Sequence, residues 1–109
     1  MNDFSFPFVF QTYGRSADRV LLAAAIVGMR NGDGFFKPPQ VLAFFDALRV
    51  PRPANIHRDI GLLESANYVR RFGQNWSVTP VGRNVVQEHL QKFDEAELNA
   101  YLQGTPGSF

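Results

Sequence analysis

The run Tyr68-Val69-Arg70-Arg71-Phe72-Gly73-Gln74-Asn75-Trp76-Ser77-Val78-Thr79-Pro80 constrains the fold more than any other stretch of the chain. Two strand-like runs flank Gly73-Gln74-Asn75, which reads as a short hairpin turn. Thr79-Pro80 then starts a helix, with a hydroxyl to cap it and a proline at the tolerated first position. The other long patterns are helical. The expected class is mainly α with a small β-hairpin, an α+β fold.

Four helical segments surround that hairpin. Ser16 is read as the N-cap of the first, with Asp18 in its first turn. From Val20 to Met29 this segment is apolar nearly all round and should be buried, and Asn31-Gly32-Asp33-Gly34 ends it. Phe35-Phe36-Lys37 suits a very short strand. Pro38 or Pro39 opens a second helix, in which Val41, Leu42, Phe45 and Leu48 keep helical spacing and Phe44 joins at the edge. A third is expected from Pro53 to Ala66. Its core stripe is Ile56, Ile60 and Leu63, and its opposite face collects Ala54, His57, Arg58, Gly61 and Ser65. On the fourth, Val81, Val85, Val86, His89, Leu90 and Phe93 define the apolar side. Asp94 and Glu97 suggest a capped short helix to Leu102. The expected organisation is an aromatic arm over 1–15, one domain over 16–102 and a flexible tail over 103–109.

In the arm, Phe4, Phe6, Phe8 and Phe10 recur with period two around Pro7, so an extended form puts all four on one side. Four exposed phenylalanines are costly. The arm must pack on its own domain, on a second copy or on another protein.

Composition narrows the function classes. The 109 residues contain no cysteine and two histidines, His57 and His89. That leaves no disulfide, no thiolate and too few ligands for a zinc triad. No nucleophile and base stand at a telling spacing, so neither enzyme nor cofactor is expected. The longest apolar run is far short of the about 20 residues a membrane span needs, and no secretory signal pattern is visible. A cytoplasmic location is expected, with no membrane partner. Net charge is only +1. Yet between Arg49 and Arg83 six arginines face two carboxylates, Asp59 and Glu64. Such a segment suits a polyanion. A merely solvated face is the equal alternative on charge alone.

The order helix, short strand, helix, tight turn, helix, hairpin, helix resembles the winged helix-turn-helix fold of small regulators, the MarR-like and PadR-like groups broadly. Phe36 to Val50, Pro53 to Val69, and Trp76-Ser77-Val78-Thr79-Pro80-Val81-Gly82-Arg83 carry the resemblance. The last piece is similar to the Leu-Thr-x-x-Gly-Arg helix start of that fold, with Val78 in place of leucine. The resemblance implies a dimeric, DNA-binding transcriptional regulator whose helix 53–66 enters the major groove and whose 70–76 wing meets the backbone.

On that reading Ala54, Asn55, His57 and Arg58 reach base edges, and Gly61 allows close approach. Arg49 and Arg52 meet phosphates, and the wing offers Arg70, Arg71, Gln74 and Asn75. Arg70 and Arg71 point to opposite sides, so they do not share a groove. Arg83 pairs with a carboxylate or touches phosphate. Trp76 packs the wing on the core. His89 is expected as a satisfied core or dimer-interface histidine. Interface candidates are Phe4, Phe6, Phe8, Phe10, His89, Leu90, Phe93, Leu98 and Tyr101. The expected partners are double-stranded DNA, a second copy, and another protein through the arm. The competing reading is a winged-helix protein-interaction module that binds no nucleic acid. A small-molecule pocket around Phe35, Phe36, Phe44 and Phe45 is a further expectation.

Overall fold

The computed structural model describes Phe10 and residues 13–91. The elements are α1 (Ser16–Asn31), β1 (Phe35–Phe36), α2 (Pro38–Ala47), α3 (Ile56–Ser65), β2 (Val69–Phe72), β3 (Asn75–Val78) and α4 (Pro80–Gln91). The chain is α+β, with four helices and one three-stranded antiparallel sheet among the described residues. Among them no helix is long and apolar enough to cross a membrane. Phe4, Phe6, Phe8, Phe93, Leu98, Tyr101, the Asp94–Glu97 helix start and the 103–109 tail lie outside the described residues.

The α1 helix is the hub. Nine consecutive residues, Val20–Gly28, are buried, and α1 packs against α2, α3, α4, β1 and β3. A helix buried on every side needs small residues where neighbours crowd it, and Ala23-Ala24-Ala25 meets that need. Its start differs from expectation. Arg15, not Ser16, is the cap residue, and the Asp18 carboxylate accepts the Arg15 N–H at 2.9 Å. Ser16 lies one residue inside, and its hydroxyl donates to Asp59 on α3 at 2.5 Å. A long-range acceptor therefore displaces the local capping role.

Pro38 opens α2 as expected, and the Gln40 side chain accepts the Lys37 N–H at 2.9 Å. Val41, Phe44, Phe45 and Leu48 are buried. Phe10 is helical, not extended, and fully buried. Its ring meets Phe45 edge-on at 4.9 Å and Phe44 at 5.8 Å. That corrects one expectation: Phe10 belongs to the core of its own chain rather than to an interface. Its ring occupies space beside Phe44 and Phe45, two of the four residues expected around a small-molecule pocket. Phe35 does not line that space, because it faces the other side of the sheet.

The α3 helix starts at Ile56, three residues later than expected, because Asn55 accepts the Arg58 N–H at 3.0 Å and caps it. It ends in Asn67, a left-handed residue at φ 65°, where Tyr68 N–H reaches back to the Leu63 carbonyl at 2.9 Å. The sheet order is β1-β3-β2. The hairpin pairs Phe72 with Asn75 and Val69 with Val78. The turn is thus two residues, Gly73-Gln74, and Asn75 is already strand. Gly73 has φ 64° while Gln74 does not have positive φ, a pattern that requires glycine at the first turn position.

Thr79 closes the fold. Its N–H donates to the Tyr68 carbonyl at 2.9 Å, its hydroxyl donates to the Asn67 carbonyl at 2.6 Å, and the same oxygen accepts the Gly82 N–H at 3.0 Å. Gly82 lies against the Tyr68 carbonyl so closely that any Cβ would collide with it. This contact sets the rotation of α4. Gly82 and Val86 turn inward, so Val81 and Val85, expected on the apolar side, are 53% and 40% exposed. Half-buried His89 lies 3.9 Å, ring to ring, from Tyr13, and its Nδ1 is buried with no hydrogen-bond partner. Of the two roles expected for His89, a satisfied core histidine or a dimer-interface one, the first is not met at Nδ1 among the described residues. Burial, and the Asp18 and Glu88 carboxylates, push the Tyr13 phenol up from its ordinary value.

Gly82→Ala should cost about 1–3 kcal/mol, since the obstructing atom is backbone and cannot swing aside. Thr79→Ala should cost about 1 kcal/mol through the lost cap. Urea unfolding of both variants measures the two values, and Gly82→Ala is expected to be the larger loss.

Candidate functional site

The expected α3 surface is open. Ala54, His57, Arg58, Gly61 and Ser65 are all exposed, while Ile56, Asp59, Ile60 and Leu63 face inward. The division follows from helical spacing: the apolar stripe docks on α1, and the small polar stripe points away. A Cβ at Gly61 would meet nothing within 4 Å, so this glycine leaves the middle of the face shallow without any packing demand.

The hairpin stands beside that face. Pairing of Phe36 with Trp76, Arg71 with Trp76 and Val69 with Val78 puts these side chains on one side of the sheet. Phe35, Arg70, Phe72, Asn75 and Ser77 take the other side. Between α3 and the hairpin lies a groove of about 430 Å³, lined by Pro38, His57, Ile60, Gly61, Glu64, Arg71, Gln74 and Trp76. Of the expected site residues, this groove brings together His57, Gly61, Arg71 and Gln74. Arg58 is exposed on the same helix outside the groove lining, and Ala54 precedes the helix. Asn55 is spent in part on the cap, its Oδ1 accepting from the Arg58 backbone. Arg70 and Asn75 are on the far side of the hairpin, as strand alternation dictates. Arg49 and Arg52 lie at the other end of α2, away from the groove.

Charge is apportioned unevenly. The Arg52 fork grips Asp46 with Nε at 2.9 Å and Nη2 at 2.6 Å. Two of its parallel N–H groups, the kind that would hold a phosphate, hold this carboxylate. Arg52 pulls the Asp46 carboxyl below its ordinary range, chiefly by hydrogen bonding. Asp59 is nearly fully buried and accepts the Ser16 hydroxyl. Arg49, Arg58, Arg70, Arg71 and Arg83 make no ion pair among the described residues. Arg83 thus has no carboxylate partner among the described residues, the first of its two expected roles. Arg71 lies 5.7 Å over the Trp76 ring, and its Nε donates to the Gly73 carbonyl at 3.1 Å, so it is held in place. No group of three or more His, Asp or Glu side chains suited to a metal occurs among the described residues.

Sequence reasoning misses three contributors. Glu64 and Trp76 line the groove, whereas the sequence pattern gives Trp76 only a packing role. A two-residue turn fixes the 71–76 pairing, so the turn length is the signal that places Trp76 beside Arg71. The Ser16–Asp59 bond joins residues 43 apart and has no local signature. Compared with protein-family models, with characterised proteins and with solved structures, the chain matches none.

Ser16→Ala should cost about 1–3 kcal/mol by leaving a buried acceptor without its donor. A double-mutant cycle with Asp59→Ala, read by thermal unfolding, checks that the two losses are not additive. Asp46 is a second test. Its lowered carboxyl contributes stability at neutral pH that is lost as pH falls through the folded value. In Arg52→Ala, NMR titration of Asp46 should move up toward the ordinary carboxylate range.

Proposed function

We propose that this chain is a DNA-binding protein with winged helix-turn-helix architecture, working as a dimeric transcriptional regulator. In this reading α2 and α3 form the helix-turn-helix, α3 enters the major groove, and the β2–β3 hairpin is the wing that contacts the backbone. The observation that carries it is the pairing of an open, small-residue α3 face with a hairpin arginine, Arg71, that makes no ion pair among the described residues. Arg58 projects from the first turn of α3, where such a helix meets base edges, and its fork matches guanine N7 and O6. Gly61 permits close approach of the helix backbone. Arg49 adds a cation at the turn, suited to phosphate. A single domain of this size reads few base pairs, and two copies on adjacent half-sites supply the rest.

The test is a titration of labelled duplex DNA at several salt concentrations. Binding should weaken steeply as salt rises, since each neutralised phosphate releases counterion. Arg58→Ala should weaken specific binding by about 1–3 kcal/mol. Gly61→Ala separates fold from function. It should stabilise the helix by about 0.5–1 kcal/mol while weakening DNA binding, because the added methyl stands on the contact face. Absence of duplex binding at the lowest salt would overturn the proposal in favour of a protein-interaction module.

A further inference from the structure

We infer that Phe72 is a wedge, which enters the base stack from the minor groove and kinks the duplex; this rests on the DNA reading above. Phe72 is the last residue of β2, paired with Asn75 across a two-residue turn, so little of the chain extends beyond it. It is 49% exposed and is the one aromatic among the exposed large apolar side chains of the described residues. An aromatic ring left in water forgoes a large burial gain, which a partner can supply. The ring is also held. The Phe35 ring meets it at 5.8 Å and 74°, on the same side of the sheet. A rigid ring at a hairpin tip loses little conformational freedom on insertion.

The surroundings say what kind of apolar surface it seeks. The Arg70 guanidinium lies 5.7 Å from the Phe72 ring centre, and Arg71 projects from the other side of the strand. Neither has an ion pair among the described residues. An apolar protein patch would have to desolvate both cations for nothing. A nucleic-acid duplex offers both demands at once, phosphates along the groove walls and a stack of apolar ring faces between them. Apolar side chains that insert between base steps from the minor groove unstack them partly and bend the duplex. Pyrimidine–purine steps unstack most readily, so the wedge favours TA steps.

The test uses the full chain and short duplexes carrying 2-aminopurine at successive TA steps, whose fluorescence rises on unstacking. The wild-type protein at low salt should raise it at one step. Phe72→Ala should abolish the rise and weaken binding by about tenfold. Phe72→Trp should preserve the rise, since a ring of greater area replaces the first. Thermal melting confirms that both variants fold. An equal rise with Phe72→Ala, or binding by the wild type with no rise at any step, overturns the wedge and leaves the DNA reading standing. No duplex binding by the wild type overturns the DNA reading itself.

Discussion

The relation between α3 and the hairpin depends on one crowded junction. Thr79 ties the chain leaving β3 to the corner between α3 and β2, through Asn67 and Tyr68. Its hydroxyl also starts α4 by accepting from Gly82. These bonds satisfy two corner carbonyls and one of the free N–H groups at a helix start. The same junction presses the Tyr68 carbonyl onto Gly82, where no other residue fits. The angle at which the hairpin leaves α3 is therefore held by backbone groups. The groove between them inherits that rigidity.

A second constraint is the way two carboxylates, Asp59 and Asp46, are engaged. Asp59 is turned into the core and bonded to Ser16, which docks the first turn of α3 on the first turn of α1. Asp46 is consumed by Arg52. Arg49, Arg58, Arg70, Arg71 and Arg83 make no ion pair among the described residues. A nearly neutral chain thus keeps several arginines free of ion pairs among its described residues, and screening distances of about 10 Å at moderate salt make local charge matter more than the total. The cation–π contact of Arg71 with Trp76 fixes one of these charges on the groove side.

Much of the element pattern is legible in the amino-acid order. Pro38, the Thr79-Pro80 pair and the Val20–Met29 apolar run locate the starts of two helices and the buried one, save that Met29 is exposed, because proline geometry and uniform hydrophobicity act locally. The stripe Ile56, Ile60, Leu63 separates the inner face of α3 from the outer one, and the structure agrees. The differences arise where a distant group competes with a local one. Ser16 loses its capping role to a bond with Asp59, and the Pro53 start of α3 gives way to the cap at Asn55. Val81 and Val85 keep apolar spacing but turn outward, since Gly82 has to face Tyr68. Phe10 matches a period-two pattern and is nonetheless helical and wedged between Phe44 and Phe45.

The amino-acid order by itself determined which segments become helix or strand, that the sheet is small, and that the arginines concentrate between residues 49 and 83. These are short-range matters of periodicity, backbone restriction and composition. The tertiary structure alone decided that Arg52 among those arginines pairs with Asp46, that Glu64 and Trp76 join His57 and Arg71 around one groove, and that Phe72 stands at the hairpin tip against Phe35. Such outcomes depend on which side chains meet across tens of residues. Packing and chain closure select those encounters, and no local pattern encodes them.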